Sequence, residues 1–306
     1  MLCLSISESY FRYFLVQDNR VKSKNSLTQK NKLEYKKLTA DEFYDNLSAV
    51  FSFLAQKESI KNHKVALSIP SSWVDLSFYE TDPDLSLSDQ EEFFDWRNTQ
   101  RFGDQVDDLT FQYYPIENAH SDKYFVVAYP LKIKEILNNS AKEEGLTIDF
   151  IDLDIFSTLS ALNFLEVNID KRPFAIWSVN KAASSILVME NNFINNYLEI
   201  DHINEENSVI KNAAPVKPSL KNDLKSVISD ENPEFEFLSS IFIRRQDMDS
   251  AFFKKIKSMD SSTIFTLDDE IQTQFDKLDS DLFDDANQFS DYLEVIGLLG
   301  REVESL

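Results

Sequence analysis

The sequence predicts an α/β fold of two similarly organised halves, with an extra subdomain inserted in the first. Three observations carry this. Each half opens on alternating strand-like segments and then continues with helices and strands in turn. A polar stretch closed by a proline, EVNIDKRP at 166–173, separates the halves. An aromatic-rich segment near 71–130 interrupts the strand–helix order of the first half. The predicted division is a first domain over 1–168, holding the insertion at about 71–130, and a second over 169–306.

LCLSIS at 2–7 reads as a strand, with SYFRYFLV and the segment near RVKSKNSLTQK following as a meander. TADE is a capping box that opens a helix, with Thr39 as N-cap and Glu42 reaching back. Phe43, Leu47, Val50, Phe51 and Leu54 then recur at helical spacing. KVALSIP is a short strand stopped by Pro70. In the insertion, VDLSFYE is a strand and SDQE a second capping box, with Ser88 as N-cap and Glu91 as its partner. LTFQYYPIE and KYFVVAYP alternate as strands do. LKIKEILNNSAKEEG is a helix ended by Gly145, followed by the strand LTIDFIDLD and the helix IFSTLSALNFL.

The second half restarts with FAIWSVNKAASSILVMENN, two strands joined by a turn. A polar connection holding Pro215 and Pro218 leads to a helix near SLKNDLKSVIS. FEFLSSIFIRR is a strand, DSAFFKKIKSM a helix and STIFTL a short strand. A final helix places Phe289, Tyr292, Leu293, Ile296 and Leu299 on one face. Its Gly297 and Gly300 lie three apart, as close packing against the sheet or another backbone would require.

Composition narrows the function. With 42% hydrophobic residues over 306 positions, a sizeable core is available. The net charge of -22 repels nucleic acid and anionic lipid, and attracts a basic partner. No run reaches the roughly 20 apolar residues of a membrane helix. MLCLSISESYFRYFLVQDNR lacks the basic start of a leader, so mature protein is expected. The single cysteine, Cys3, excludes an intrachain disulfide and favours a reducing compartment. There are four glycines, where average usage gives about twenty, so little material exists for a phosphate cradle.

The usual chemistries find no constellation. His63, His120 and His202 are scattered without zinc spacing. DKLDSDLFDD at 276–285 lacks the glycine and closing Glu of a calcium loop. No Gly-x-Ser-x-Gly elbow is present. Asp152 and Asp154 lie two apart on an expected strand, a pairing that so acidic a chain produces by chance. Arg244 and Arg245 stand alone, so no nucleic-acid stripe exists. The aromatics of the insertion are core residues first and interface anchors second.

The chain resembles the PilM family, the cytoplasmic actin-like proteins of type IV pilus assembly. VALSIPSSWVDLSFYE is similar to that family's entry into its inserted subdomain. LSDQEEFFDWRNTQRFGDQVDDLTFQYYPIE resembles its helix with a Trp and a Gln, followed by an acidic turn and a strand. EILNNSAKEEGLTIDFIDLDIFSTLSAL resembles its helix, Gly-Leu step and acidic strand, and SDYLEVIGLLGRE its final helix. The resemblance implies an actin-like fold: two RNase H-like domains facing a nucleotide cleft, with an inserted subdomain in the first.

The departures from that family are systematic. Its first strand ends in Asp-x-Gly, where this chain has Ser5 and Ser7, with Arg12 where a basic residue is usual. Its second hairpin offers Asp-x-Gly and then Thr, where this chain has Ser178, Asn180 and Ser184. A paired Gly follows the family's adenosine-side strand, and the match here is Ser239 and Ser240. Serine does not replace a carboxylate at magnesium, and a Cβ in a phosphate loop blocks close backbone approach. No cofactor is therefore expected, neither ATP nor magnesium.

What the resemblance implies is a non-catalytic pseudo-ATPase scaffold of a type IV pilus or related secretion machine. It would be cytoplasmic, held at the inner membrane by docking the N-terminal tail of an inner-membrane protein. The expected groove lies between Phe11 and Tyr13 of the meander and Trp96 and Phe102 of the insertion. Homo-oligomerisation is left open. The alternatives are an active actin-like ATPase with a divergent site, an actin-like adaptor of another cell-envelope system, and an RNase H-like nuclease. The nuclease needs a first-strand carboxylate that Ser5 and Ser7 do not supply.

Overall fold

The computed structural model describes residues 1–304 except 9, 18–19, 29–32, 34, 36, 59, 61, 117–121, 166–172, 180–182, 192, 205–206, 212–217, 230–234, 246–263 and 267–289. The first half holds β1 (Leu2–Ile6), β2 (Tyr10–Gln17), β3 (Arg20–Thr28), α1 (Ala40–Glu58) and β4 (Lys64–Ile69). Then come β5 (Asp75–Glu80), α2 (Leu87–Phe102), β6 (Leu109–Pro115), β7 (Lys123–Pro130), α3 (Leu131–Glu143), β8 (Thr147–Leu153) and α4 (Asp154–Phe164). The second half holds β9 (Phe174–Val179), β10 (Ala183–Glu190), β11 (Phe193–Asn204), β12 (Asn207–Lys211) and α5 (Pro218–Ser229). It ends with β13 (Ser240–Arg245), β14 (Ile264–Thr266) and α6 (Leu293–Glu304).

The two halves repeat one topology. The first sheet runs β3-β2-β1-β4-β8, and the second β12-β11-β10-β9-β13-β14. In each, a meander of three antiparallel strands is extended by two parallel ones beside its first strand. The second sheet adds β12 at its edge.

Strand alternation divides each sheet into two faces. On β2, Phe11 meets Phe53 of α1 and Tyr13 donates to Glu58 of α1. Phe14 instead stacks on Tyr292, just before α6. On the second sheet, Ala175, Trp177, Ile241 and Ile243 pack under α5 with Leu220 and Leu224. Their alternates Phe174, Ile176 and Phe242 join the core of the first half. One apolar core thus runs between the sheets.

The insertion is a separate three-stranded sheet, β5-β7-β6. Phe125 and Val127 of β7 face the main core. Tyr124 and Val126 face α2 and pack with Phe94 and Tyr79.

The α1 capping box forms in both directions: Thr39 N–H donates to Glu42 (2.9 Å), and Glu42 N–H to the Thr39 hydroxyl (3.3 Å). All five apolar residues of the α1 stripe are buried. The second box is shifted. Ser86, not Ser88, caps α2 and accepts from Asp89 N–H at 3.2 Å. The reason is local: SLSD carries the same Ser-x-x-acid spacing two residues earlier.

Other differences have physical reasons. β11 and β12 were read as polar connection, because Asn195 and Asn196 break the alternation. The strand expected from FEFLSSIFIRR begins only at Ser240. Asp223 of α5 accepts the N–H groups of Glu236, Phe237 and Leu238 (2.7–2.9 Å), which turns that segment away from the ladder. α6 packs against α4 and against β1, β2 and β4, so the end of the chain completes the first half rather than the second. The helix expected at DSAFFKKIKSM, the acidic stretch 276–285 and Phe289 lie outside the described residues.

Candidate functional site between the two sheets

Strand register lines polar residues into a row across each sheet. In the first it runs Ser26, Arg12, Ser5, Ser68, Asp152, from β3 to β8. In the second it runs Glu199, Ser185, Ser178, Arg244, from β11 to β13. Directly paired residues point to one face, so each row is a band of like orientation. Both bands lie near the carboxyl ends of the parallel strands, where open α/β sheets hold their ligands.

Arg244 stands at the centre. It is 1% exposed and ion-pairs with Glu294 of α6, itself 2% exposed. Its Nη1 donates to Thr158 of α4 at 2.7 Å. Arg12, from the other sheet, reaches Asp291 at 3.4 Å and donates through Nε to Ser26 at 3.1 Å. Its guanidinium also lies 3.7 Å over the Tyr10 ring. Asp291 and Glu294 are three residues apart, so one turn of chain serves both sheets.

The acidic pair noted in the sequence separates at the β8–α4 junction. Asp152 ends the first polar row, accepts from Ser157 (2.8 Å) and meets Arg301 of α6 at 3.2 Å. Burial raises its carboxyl above the ordinary 3.8, against the pull of Arg301. Asp154 is the first residue of α4, not a strand residue, and accepts from Ser71 N–H at 3.0 Å and from the Ser71 hydroxyl. Burial raises it too, opposed first by Ser71.

The residues expected at a nucleotide site are only partly gathered. Ser5 and Arg12 are paired neighbours, and Ser178 pairs directly with Arg244. Ser184 is buried beside Val179 on the same hairpin. Ser7 closes the β1–β2 turn on itself, its hydroxyl donating to Tyr10 carbonyl at 3.1 Å. Ser239 and Ser240 belong elsewhere: Ser239 precedes β13 and Ser240 opens it, pairing with Phe174 at the far end of β9. Asn180 lies outside the described residues.

The expected groove needs the same revision. Phe11 and Tyr13 are buried under α1 and cannot line an opening. Trp96 is 53% exposed on α2, against Phe93 and with Arg97 over its ring. Phe102 is half-buried on Phe111.

The reading from sequence missed Asp291, Glu294 and Thr158 as site residues and gave Arg244 no role. A signal for Glu294 existed. It is the lone charge in YLEVIGLL, a segment apolar on every side.

Among the described residues no helix is long and apolar enough to cross a membrane. No protein-family model and no curated protein matches this chain. Solved structures do. The chain is similar to the PilM–PilN type IV pilus biogenesis complex with a TM-score of 0.66 and 11% identity, covering 99% of this chain and 98% of that one. The cytoplasmic domain of EpsL, an inner-membrane component of the Vibrio cholerae type II secretion system, scores 0.45 at 10% identity, covering 91% and 95%. A Bacteroides thetaiotaomicron protein with an actin-like ATPase fold scores 0.48 at 13% identity, with the same coverages. The last two scores are too low to add weight. The fold of this chain is actin-like, and it is built on the plan seen in the PilM–PilN complex.

Proposed function

We propose that this protein is a non-catalytic actin-like scaffold of a type IV pilus or related secretion machine, docking the cytoplasmic tail of an inner-membrane partner. The buried Arg244–Glu294 pair carries the non-catalytic part of this reading. A magnesium nucleotide needs a phosphate path between the halves and carboxylates free to face the metal. Here a neutralised arginine stands between the sheets, and serines occupy the matching strand positions Ser5 and Ser178. Glu8, in the β1–β2 turn, would repel phosphate where the family turns its chain around it. These residues do not fit the nucleotide and its metal.

The scaffold part is supported by the likeness to PilM, which the compared structure holds in complex with PilN. The exposed Trp96, braced by Phe93 and Arg97, is the aromatic anchor on which such a tail would dock. The surrounding acidic surface favours a basic tail. Peripheral association with the inner membrane follows from that docking.

Thermal unfolding with increasing magnesium-ATP tests the first part. No shift is expected, whereas binding at a hundredfold excess over Kd would add about 2.7 kcal/mol. A saturable rise would overturn it. Co-purification with an inner-membrane protein that carries one membrane span and a short basic cytoplasmic tail tests the second. A complex weakened by Trp96→Ala is expected, and failure to recover any complex would count against docking.

A further inference from the structure

We propose that Asp291 and Glu294 are the chain's own substitute for a bound nucleotide's phosphates, an anion pair that fastens the two sheets together. The proposal rests on the reading that the cleft takes no nucleotide. Arg12 belongs to the first sheet and Arg244 to the second, and both are nearly inaccessible to solvent. A guanidinium keeps its charge in a protein, so a buried one demands an anion. One short segment delivers an anion to each: Asp291 to Arg12 and Glu294 to Arg244.

The donor set exceeds what two carboxylates use. Among the described residues, Arg12 Nη1, Arg244 Nε, the Ser68 hydroxyl and Glu294 Oε2 are buried without a hydrogen-bond partner, three donors against one acceptor. Ser68 lies in the same row as Arg12, two strands away. Such a surplus matches an anion with more oxygens than a carboxylate, which is what a phosphate is.

The carboxylates are held in place from behind. Arg301, at the far end of α6, pairs with Asp152 at the far end of the first polar row. From Arg12 to Asp152 the row crosses three strand spacings, about 14 Å. Residues 291 to 301 of a helix cover about 15 Å. The segment 291–301, a short turn running into α6, therefore matches the row in length and is ion-paired at both ends. Gly297 and Gly300 let it lie directly on α4 between those ends.

The experiment is a distance measurement on the full chain. Spin labels at Gln56→Cys on α1 and Lys221→Cys on α5 report the separation of the halves, both sites being exposed. Cys3 is buried and stays unlabelled. The unaltered pair should give one narrow distribution that inorganic pyrophosphate does not change. Asp291→Ala/Glu294→Ala should broaden it, and pyrophosphate should narrow it again where sodium chloride of equal ionic strength does not. A variant that stays narrow, or broadens without rescue by pyrophosphate, overturns the proposal. Should the double variant not fold, Glu294→Gln alone is read in the same two ways, with a smaller broadening expected. Magnesium-ATP binding by the unaltered protein would instead overturn the nucleotide-free reading, and the two failures are told apart by which protein responds.

Discussion

A Cβ placed on Gly297 would lie 1.8 Å from the carbonyl oxygen of Ser157. The backbones of α4 and α6 meet there with nothing between them. Gly297→Ala gains up to about 1 kcal/mol of helix propensity. It must also push the helices apart, an overpacking that costs about 1–3 kcal/mol or more. Net destabilisation is expected in urea unfolding. Gly300→Ala should be milder, because its nearest neighbour is Phe164 Cβ at 3.0 Å, which asks only a small shift between the helices where Gly297 meets a backbone carbonyl far inside contact distance. Equal losses at both positions would contradict this packing.

Asp223 organises the approach to β13. It accepts three backbone N–H groups and is itself buried. Asp223→Ala strands the buried Leu238 N–H, at about 1–3 kcal/mol, and leaves those of Glu236 and Phe237 to water. A loss of about 1–3 kcal/mol is expected, with Asp223→Asn intermediate. Faster hydrogen exchange at residues 236–238 would show the loss to be local.

Asp154 sets a pH dependence of definite sign. Burial holds its folded carboxyl above the ordinary 3.8; Ser71 pulls it down, Glu294 pushes it up and Arg244 pulls it down. A carboxyl raised on folding favours the native state below its unfolded value, and that advantage is lost as pH rises through the folded value. Asp154→Asn retains acceptors for Ser71 and removes the buried charge. It should raise the melting temperature at pH 7, and the gain should shrink as pH falls through the folded value and be gone once pH is below 3.8. A gain that grows on acidification would refute the assignment.

Two serines separate the possible starts of α2. Ser86→Ala removes the observed cap and should cost about 1 kcal/mol. Ser88→Ala should be nearly neutral. Chemical denaturation of both variants decides between them.

What could be read from the sequence followed the range of the forces involved. The α1 stripe and its capping box are set within a few residues, and both were visible. The repeated order of strands and helices was visible for the same reason. Glu294 meets Arg244 across fifty residues of sequence, and Arg12 meets Asp291 across nearly the whole chain. Neither pairing leaves a local pattern. Ser239 and Ser240 had the right residue types for an altered glycine loop, but three hydrogen bonds to Asp223 decide where β13 begins. Phe11 and Tyr13 looked like groove residues because alternation does not say which face a helix will cover.

The position of α6 also bears on how the chain matures. Its contacts with β1 and β2 join the last dozen described residues to the first seventeen. Contacts so distant in sequence form late, because a long loop must close before they reward the closure. During synthesis the first sheet would wait, with one face bare, until α6 has been made. A half-made chain would thus expose the surface that α6 later seals, and the arrival of α6 becomes the moment at which the first sheet is covered.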